Sequence, residues 1–183
     1  MPSTPLFRAA ALRRIEAAAA DQPLMQRAGR AAADRVSVIC VKRDAPLLVL
    51  AGLGNNGGDA FEMARLLREQ HFETHVVFIG DENRLPIDAA NAYRRFVAAG
   101  GTTHPKVPQD LAFSTIIDGL FGIGLTRAIE EPYASLIRTA NTLSVRDACP
   151  LLALDCPSGL NADTGKTLGE TIRATHTLTF IGN

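Results

Sequence analysis

Pro46-Leu-Leu-Val-Leu-Ala51-Gly52-Leu-Gly54-Asn55-Asn56-Gly57-Gly58-Asp59 is the stretch that decides the fold class. Its apolar opening is short and runs straight into glycine, the pattern of a strand buried on both faces. Beyond the glycine-rich loop, Ala60-Phe-Glu-Met-Ala-Arg-Leu-Leu-Arg68 sets Ala60, Met63, Ala64 and Leu67 on one helical face. Asp59 then reads either as the cap of that helix or as part of a ligand loop.

The alternation continues in both directions. Downstream, Thr74–Ile79 reads as a strand, and Ile87–Ala99 as an amphipathic helix closed by Gly100-Gly101. Phe113–Asp118 is the next strand, followed by a helix from Pro132 to Leu143, opened by its proline. Leu151–Asp155 and Thr175–Ile181 read as two more strands. Upstream, an alanine-rich segment predicts two helices broken around Asp21-Gln22-Pro23. Strands and helices taking turns predict an α/β domain, with a doubly wound, mostly parallel sheet and helices on both faces.

Length and composition narrow the function. A chain of 183 residues has room for one core. Its 19 basic and 19 acidic residues balance, which argues against a nucleic-acid or anionic-membrane surface. No apolar run is long enough to span a bilayer. The three cysteines, Cys40, Cys149 and Cys156, form neither a CxxC pair nor a zinc spacing. An odd count without a secretion signal fits a reducing, cytoplasmic setting, and buried inert thiols are expected. Arg8, Arg13 and Arg14 precede the first acid, as in a transit peptide, but Glu16 and the helical spacing after it favour a helix of the domain.

In folds of this type, ligands bind where loops leave the carboxyl ends of the strands. Three such loops are unusual. In the first, Gly52, Gly54 and Gly57 have the G-x-G-x-x-G spacing that lets backbone approach a pyrophosphate at a helix N-terminus. The second, Asp118-Gly-Leu-Phe-Gly122-Ile-Gly124-Leu-Thr126-Arg127, joins a strand-end carboxylate to a glycine-rich stretch and a forked cation suited to phosphate. The third, Asp155-Cys-Pro-Ser158-Gly-Leu-Asn161-Ala-Asp163-Thr-Gly165, repeats the strand-end carboxylate before rigid turn residues. Each loop alone also reads as an ordinary turn. His71, His75, His104 and His176 all lie outside these loops, so acid–base chemistry here falls to a carboxylate. The oxygen donors Asn56, Asp118 and Ser158 suit a hard cation.

Together the blocks Gly54-Asn-Asn-Gly-Gly-Asp59, Asp118-Gly-Leu-Phe-Gly-Ile-Gly-Leu125 and Leu154-Asp-Cys-Pro-Ser-Gly-Leu-Asn-Ala-Asp-Thr-Gly165 resemble the YjeF N-terminal domain family, the NAD(P)H-hydrate epimerases. Leu24-Met-Gln-Arg-Ala-Gly29 resembles that family's N-terminal helix, and the likeness runs from about Leu12 to the C-terminus with all blocks in order. The resemblance implies a Rossmann-like three-layer αβα fold, a homodimer, a bound potassium ion and cofactor-repair activity on hydrated NAD(P)H (NADHX and NADPHX). By motif, it places Asn55, Asn56, Gly57, Gly58, Asp59, Gly122, Ile123, Gly124, Leu125, Thr126, Arg127 and Ala128 against the dinucleotide. It places Asn56, Asp118 and Ser158 on potassium, and Asp155 at the substrate as the catalytic group. Asn161 and Asp163 are second choices for proton transfer or positioning.

Two departures from the family pattern stand out. Ala60 occupies a position where the family commonly has glycine. The chain stops at Asn183, where family domains usually run on, so the expectation is a single domain over 1–183 shortened at its C-terminus. Fusion to, or joint action with, an NAD(P)H-hydrate dehydratase also follows from the resemblance. Two other readings compete. An NAD-dependent dehydrogenase would use the glycine spacing and Asp81 as a ribose ligand, but leaves the Asn-Asn-Gly-Gly-Asp and Asp-Cys-Pro-Ser-Gly blocks unexplained. A non-catalytic binding module or scaffold would have no need of Asp155 or of the Asn56/Asp118/Ser158 set.

Overall fold

The computed structural model describes residues 7–40 and 42–181. Residues 1–6, Val41 and the final Gly182-Asn183, which belong to the leader-like segment, to a connection and to the expected C-terminal end, lie outside the described residues.

Two helices, α1 (Ala9–Ala18) and α2 (Leu24–Ile39), precede β1 (Leu47–Ala51). The chain then forms α3 (Asn55–Glu69), β2 (Thr74–Phe78), α4 (Ile87–Ala98) and the two-residue strand β3 (Thr103–His104). It ends with β4 (Thr115–Gly119), α5 (Tyr133–Arg146), β5 (Leu151–Leu154) and β6 (His176–Leu178). The six strands form one sheet in the order β3-β2-β1-β4-β5-β6, and every pairing is parallel. This is the expected doubly wound sheet, with β3 and β6 at its edges. No helix among the described residues is long and apolar enough to cross a membrane.

β1 is the centre of the core, and all five of its residues are buried. Side chains on a strand alternate in direction, so its two faces feed two apolar clusters. Leu47, Val49 and Ala51 pack with α2, α3 and α4, where Phe61 meets Phe78 and Tyr93 edge-on. Leu48 and Leu50 pack with Ile137, Ala140 and Leu143 of α5 on the opposite face. Strand order reverses between β1 and β4, where successive helices leave for opposite faces, and a crevice opens beyond their carboxyl ends.

Several boundaries differ from the sequence reading. Helix α3 begins at Asn55, not Ala60, so Gly54 is the N-cap and Asp59 lies inside the helix rather than capping it. The reason is packing. A Cβ on Gly57 would lie 1.9 Å from the Gly52 carbonyl oxygen, and one on Gly58 2.6 Å from Met25, so these glycines allow the helix to start against its own strand. β4 begins at Thr115, because the Phe113 N–H is already held by Asp147 Oδ2 at 2.9 Å and Ser114 Oγ donates to Ala45 O at 2.9 Å. β6 is shorter than the expected Thr175–Ile181, and α5 runs past Leu143 to Arg146.

Candidate active site at the β1–β4 switch point

The ends of β1 and β4 are joined by the Gly52 N–H, which donates to Gly119 O over 3.0 Å. The first two loops therefore leave the sheet side by side, and the third, after β5, lies next to them.

Asp118 is completely buried near the end of β4. Its Oδ1 accepts from Ser158 Oγ at 2.7 Å and from the Leu120 N–H at 3.2 Å, and its Oδ2 accepts from the Ser158 N–H at 2.8 Å. Burial pushes the carboxyl up to about 6, although these three donors pull the other way. Ser158 Oγ also accepts from the Phe121 N–H at 2.9 Å, so Asp118 and Ser158 clamp the second loop to the third. The Asn56 main chain packs against the end of β4, its backbone carbonyl oxygen 3.2 Å from where a Cβ on Gly119 would be. Asn56 is 7% exposed, and neither its side-chain oxygen nor its nitrogen has a hydrogen-bond partner among the described residues. A buried amide with nothing to bond is costly unless something else occupies its partners' place.

Asp155 follows β5 in the left-handed backbone region, at φ 63°. Such a conformation is unusual for a residue other than glycine and concentrates at functional positions. Its Oδ2 accepts from the Ile123 N–H at 2.7 Å, which fixes the carboxylate under the second loop. Burial raises its pKa, with the Ile123 hydrogen bond opposing. Asp59, half-buried one turn into α3, is raised well above the usual carboxylate range, first by burial and then by the charges of Asp155 and Glu16. Shielding from solvent and the Asp155 charge also raise Glu16, while Arg13 opposes the shift. The three carboxyl groups lie within electrostatic reach of one another, and all three are shifted upward, toward the protonated form.

A cleft of about 1110 Å³ lies beside this cluster, with Arg13, Glu16, Met25, Asn55, Asp59 and Phe180 in its walls. Asn55 and Gly54 are exposed at the α3 N-terminus, where no side chain caps the helix, so the free N–H groups of its first turn can meet an anion. In the second loop, Gly122, Ile123 and Leu125 are half-buried, while Gly124, Thr126, Arg127 and Ala128 are exposed.

The chain matches the family described as YjeF-related protein N-terminus over residues 21–183. It belongs to that family. Among YjeF relatives, the NAD(P)H-hydrate epimerase of Achromobacter xylosoxidans strain A8 is 45% identical over 159 residues, covering 87% of this chain and 74% of the relative. The NAD(P)H-hydrate epimerase of Bordetella pertussis is also 45% identical, with 87% and 69% covered. The bifunctional NAD(P)H-hydrate repair enzyme of Leishmania infantum is 41% identical over 86% of this chain, which spans 28% of that protein. The crystal structure of yeast ynu0 superposes with a TM-score of 0.70 at 20% identity, covering 85% of this chain and 69% of ynu0, and so shares the fold.

The site brings the side chains of Asp118 and Ser158 into direct contact, while Asn56 meets Gly119 through its main-chain oxygen. Other residues raised by the sequence have turn roles. Asn161 Oδ1 accepts from the Asp163 and Thr164 N–H groups, and Asp163 Oδ1 accepts from the Ala9 N–H at 2.8 Å. Asp81 accepts from the Asn83 N–H and side chain at 2.9 and 2.8 Å, which commits it to a local turn rather than to a ribose. Cys156 is a buried free thiol, its pKa pushed up to about 11 by burial and the neighbouring Asp155 and Asp118, which disfavours the reactive thiolate. Sequence reasoning missed α1 altogether as a source of site residues. Only the i,i+3 spacing of Arg13 and Glu16 hinted at a shared polar face.

Proposed function

We propose that this YjeF domain is an NAD(P)H-hydrate epimerase, an isomerase that interconverts the R and S epimers of NADHX and NADPHX. The observation that carries this reading is the Asp155 carboxyl, half-buried at the switch point, fixed at one oxygen and free at the other, in a chain 45% identical to proteins of that name.

The chemistry follows from the substrate. A hydrated nicotinamide carries a hydroxyl on a carbon bonded to nitrogen. Protonation of that hydroxyl lets it leave as water, with the ring nitrogen lone pair forming an iminium. Water then adds to the opposite face and gives up a proton. One carboxyl of raised pKa can deliver the first proton and take back the second. Asp155 has that property and a fixed orientation, and the charge of Asp155 in turn helps raise the pKa of Asp59. Asn55 to Asp59 would hold the dinucleotide at the α3 N-terminus, and Gly122 to Ala128 would cover it, with Arg127 toward phosphate.

Asn56, Asp118 and Ser158 fit a hard monovalent cation such as potassium: they offer an amide, a carboxylate and a hydroxyl, and the Asn56 amide has no partner among the described residues. Bound there, the ion would neutralise the buried Asp118 carboxylate and brace the loops around it. The same reading makes 1–183 one YjeF N-terminal-like domain shortened at its C-terminus, acting as a cytoplasmic homodimer with an NAD(P)H-hydrate dehydratase, and two relatives are named bifunctional NAD(P)H-hydrate repair enzymes.

Epimerisation of resolved R-NADHX in oxygen-18 water tests the reading. The S product should appear faster than in a protein-free blank and carry one oxygen-18. Conversion without label would rule out loss and return of water, and no conversion by folded protein would rule out the activity.

A further inference from the structure

Helix α1 has no part in the reaction as described above, yet it is attached to the site. None of its residues is buried, so the apolar contacts that hold the other helices do not hold this one. Its polar contacts run to the loops. The Ala9 N–H ties the first turn to Asp163 of the third loop. One turn later, Arg13 Nη2 lies over the second loop, 3.3 Å from where a Cβ on Gly124 would be. Glu16, on the same helical face, lies within electrostatic range of Asp59 and Asp155. Arg13 and Glu16 line the cleft together with Asn55 and Asp59.

The charges around the cleft single out Arg13. Its acids are Glu16, Asp21, Asp59 and Asp88, and its other cations are Arg27 and Arg95. Arg95 is committed to Glu62 at 2.9 Å. Arg13 forms no ion pair among the described residues, and its Nη2 lies against Gly124 of the second loop. A guanidinium fork that shares a cleft with an uncapped helix N-terminus and lies against a glycine loop suits the oxygens of a diphosphate.

We infer that α1 is an arm that closes over the bound dinucleotide, and that Arg13 grips its diphosphate and sets a preference for phosphate-bearing hydrated nicotinamides. The inference rests on the epimerase reading for its substrate. The turn at Asp21-Gln22-Pro23, between α1 and α2, is the joint on which the arm would move.

Steady-state kinetics of R13Q test the residue, with R14Q as control because Arg14 is outside the cleft wall. With R-NADHX, R13Q should raise KM about tenfold with kcat little changed, the loss expected for one charged hydrogen-bonding group. With hydrated nicotinamide riboside, which has no phosphate, R13Q and the parent should agree. An unchanged KM for R-NADHX, or an equal rise with the riboside, overturns the assignment. Trypsin cleavage after Arg13 and Arg14 tests the arm without turnover. Millimolar ADP-ribose, a stable diphosphate probe, should slow cleavage in the parent, while cleavage after Arg14 in R13Q should not slow. Equal cleavage with and without the probe overturns the arm. Protection in a parent that turns over no substrate keeps the arm and refutes the epimerase reading instead.

Discussion

Gly122 lies directly against Asp155: a Cβ on the glycine would sit 2.2 Å from Asp155 Oδ2. The next residue, Ile123, donates its N–H to that same oxygen. The second loop therefore sets the direction of the carboxyl, and only glycine leaves room for it. Gly122→Ala should push the carboxyl aside and lower kcat by about a hundredfold, as expected for a displaced reacting group. KM and Tm should change little. A variant with the parent kcat would show that the position of Asp155 is unimportant.

Burial of Asp59 beside Asp155 carries a cost in stability at neutral pH. Its folded pKa is raised above the unfolded value, so folding favours the protonated form. That contribution is complete below the unfolded carboxyl pKa, about 3.9, and is lost as pH rises through the raised folded value. Asp59→Asn stays neutral throughout. It should be about 1 kcal/mol more stable than the parent at pH 7, roughly 2–4 °C in Tm. The gain should vanish near pH 3.5, and turnover should fall. Calorimetry across this range checks it, and a gain independent of pH would contradict the assignment.

Ser158 makes hydrogen bonds to both sides of the Asp118 clamp, and the Asn56 side chain makes none among the described residues. Ser158→Ala should cost about 2 kcal/mol in urea unfolding, because a buried carboxylate loses a donor. If potassium occupies this set, replacing choline chloride by potassium chloride at equal ionic strength should raise the parent's Tm by mass action. Asn56→Ala should lose that response. A response to ionic strength alone would remove the cation from the account.

The sheet was legible because its signals are local. Pro46–Ala51 is apolar throughout, and Asp118 and Asp155 mark the ends of their strands within one or two residues. The start of α3 was not legible, because Asn-Asn-Gly-Gly has poor helix propensity and only its packing on Gly52 and Met25 makes it helical. β3 pairs through two residues, too few to leave a periodic signal. The Asp118–Ser158 clamp could be anticipated from the three conspicuous loops. The approach of Glu16 to Asp155 could not, since 139 residues separate them in the chain and no local pattern joins them.

Away from the site, Glu62 joins α3 to α4. Its oxygens meet Arg65 at 2.6 Å and Arg95 at 2.9 Å while its side chain is 2% exposed. Burial alone would raise its pKa, but the two arginines outweigh burial and lower it. The stabilisation is therefore present above the unfolded glutamate pKa, about 4.3, and is lost as pH falls through the lowered folded value. Glu62→Gln should cost about 2 kcal/mol at pH 7, discounted from a fully buried pair because both arginines are partly exposed. Urea titrations should find the gap from the parent narrowing below about pH 4. A constant gap would mean that shape, not charge, holds the contact.

The central claim is that Asp155 moves the protons of epimerisation. The most direct measurement follows resolved R-NADPHX to its S epimer by chiral chromatography, with parent, Asp155→Asn and a protein-free blank in potassium buffer. The account predicts conversion well above the blank for the parent and conversion at the blank rate for a folded Asp155→Asn. An Asp155→Asn protein that epimerises as fast as the parent would contradict it.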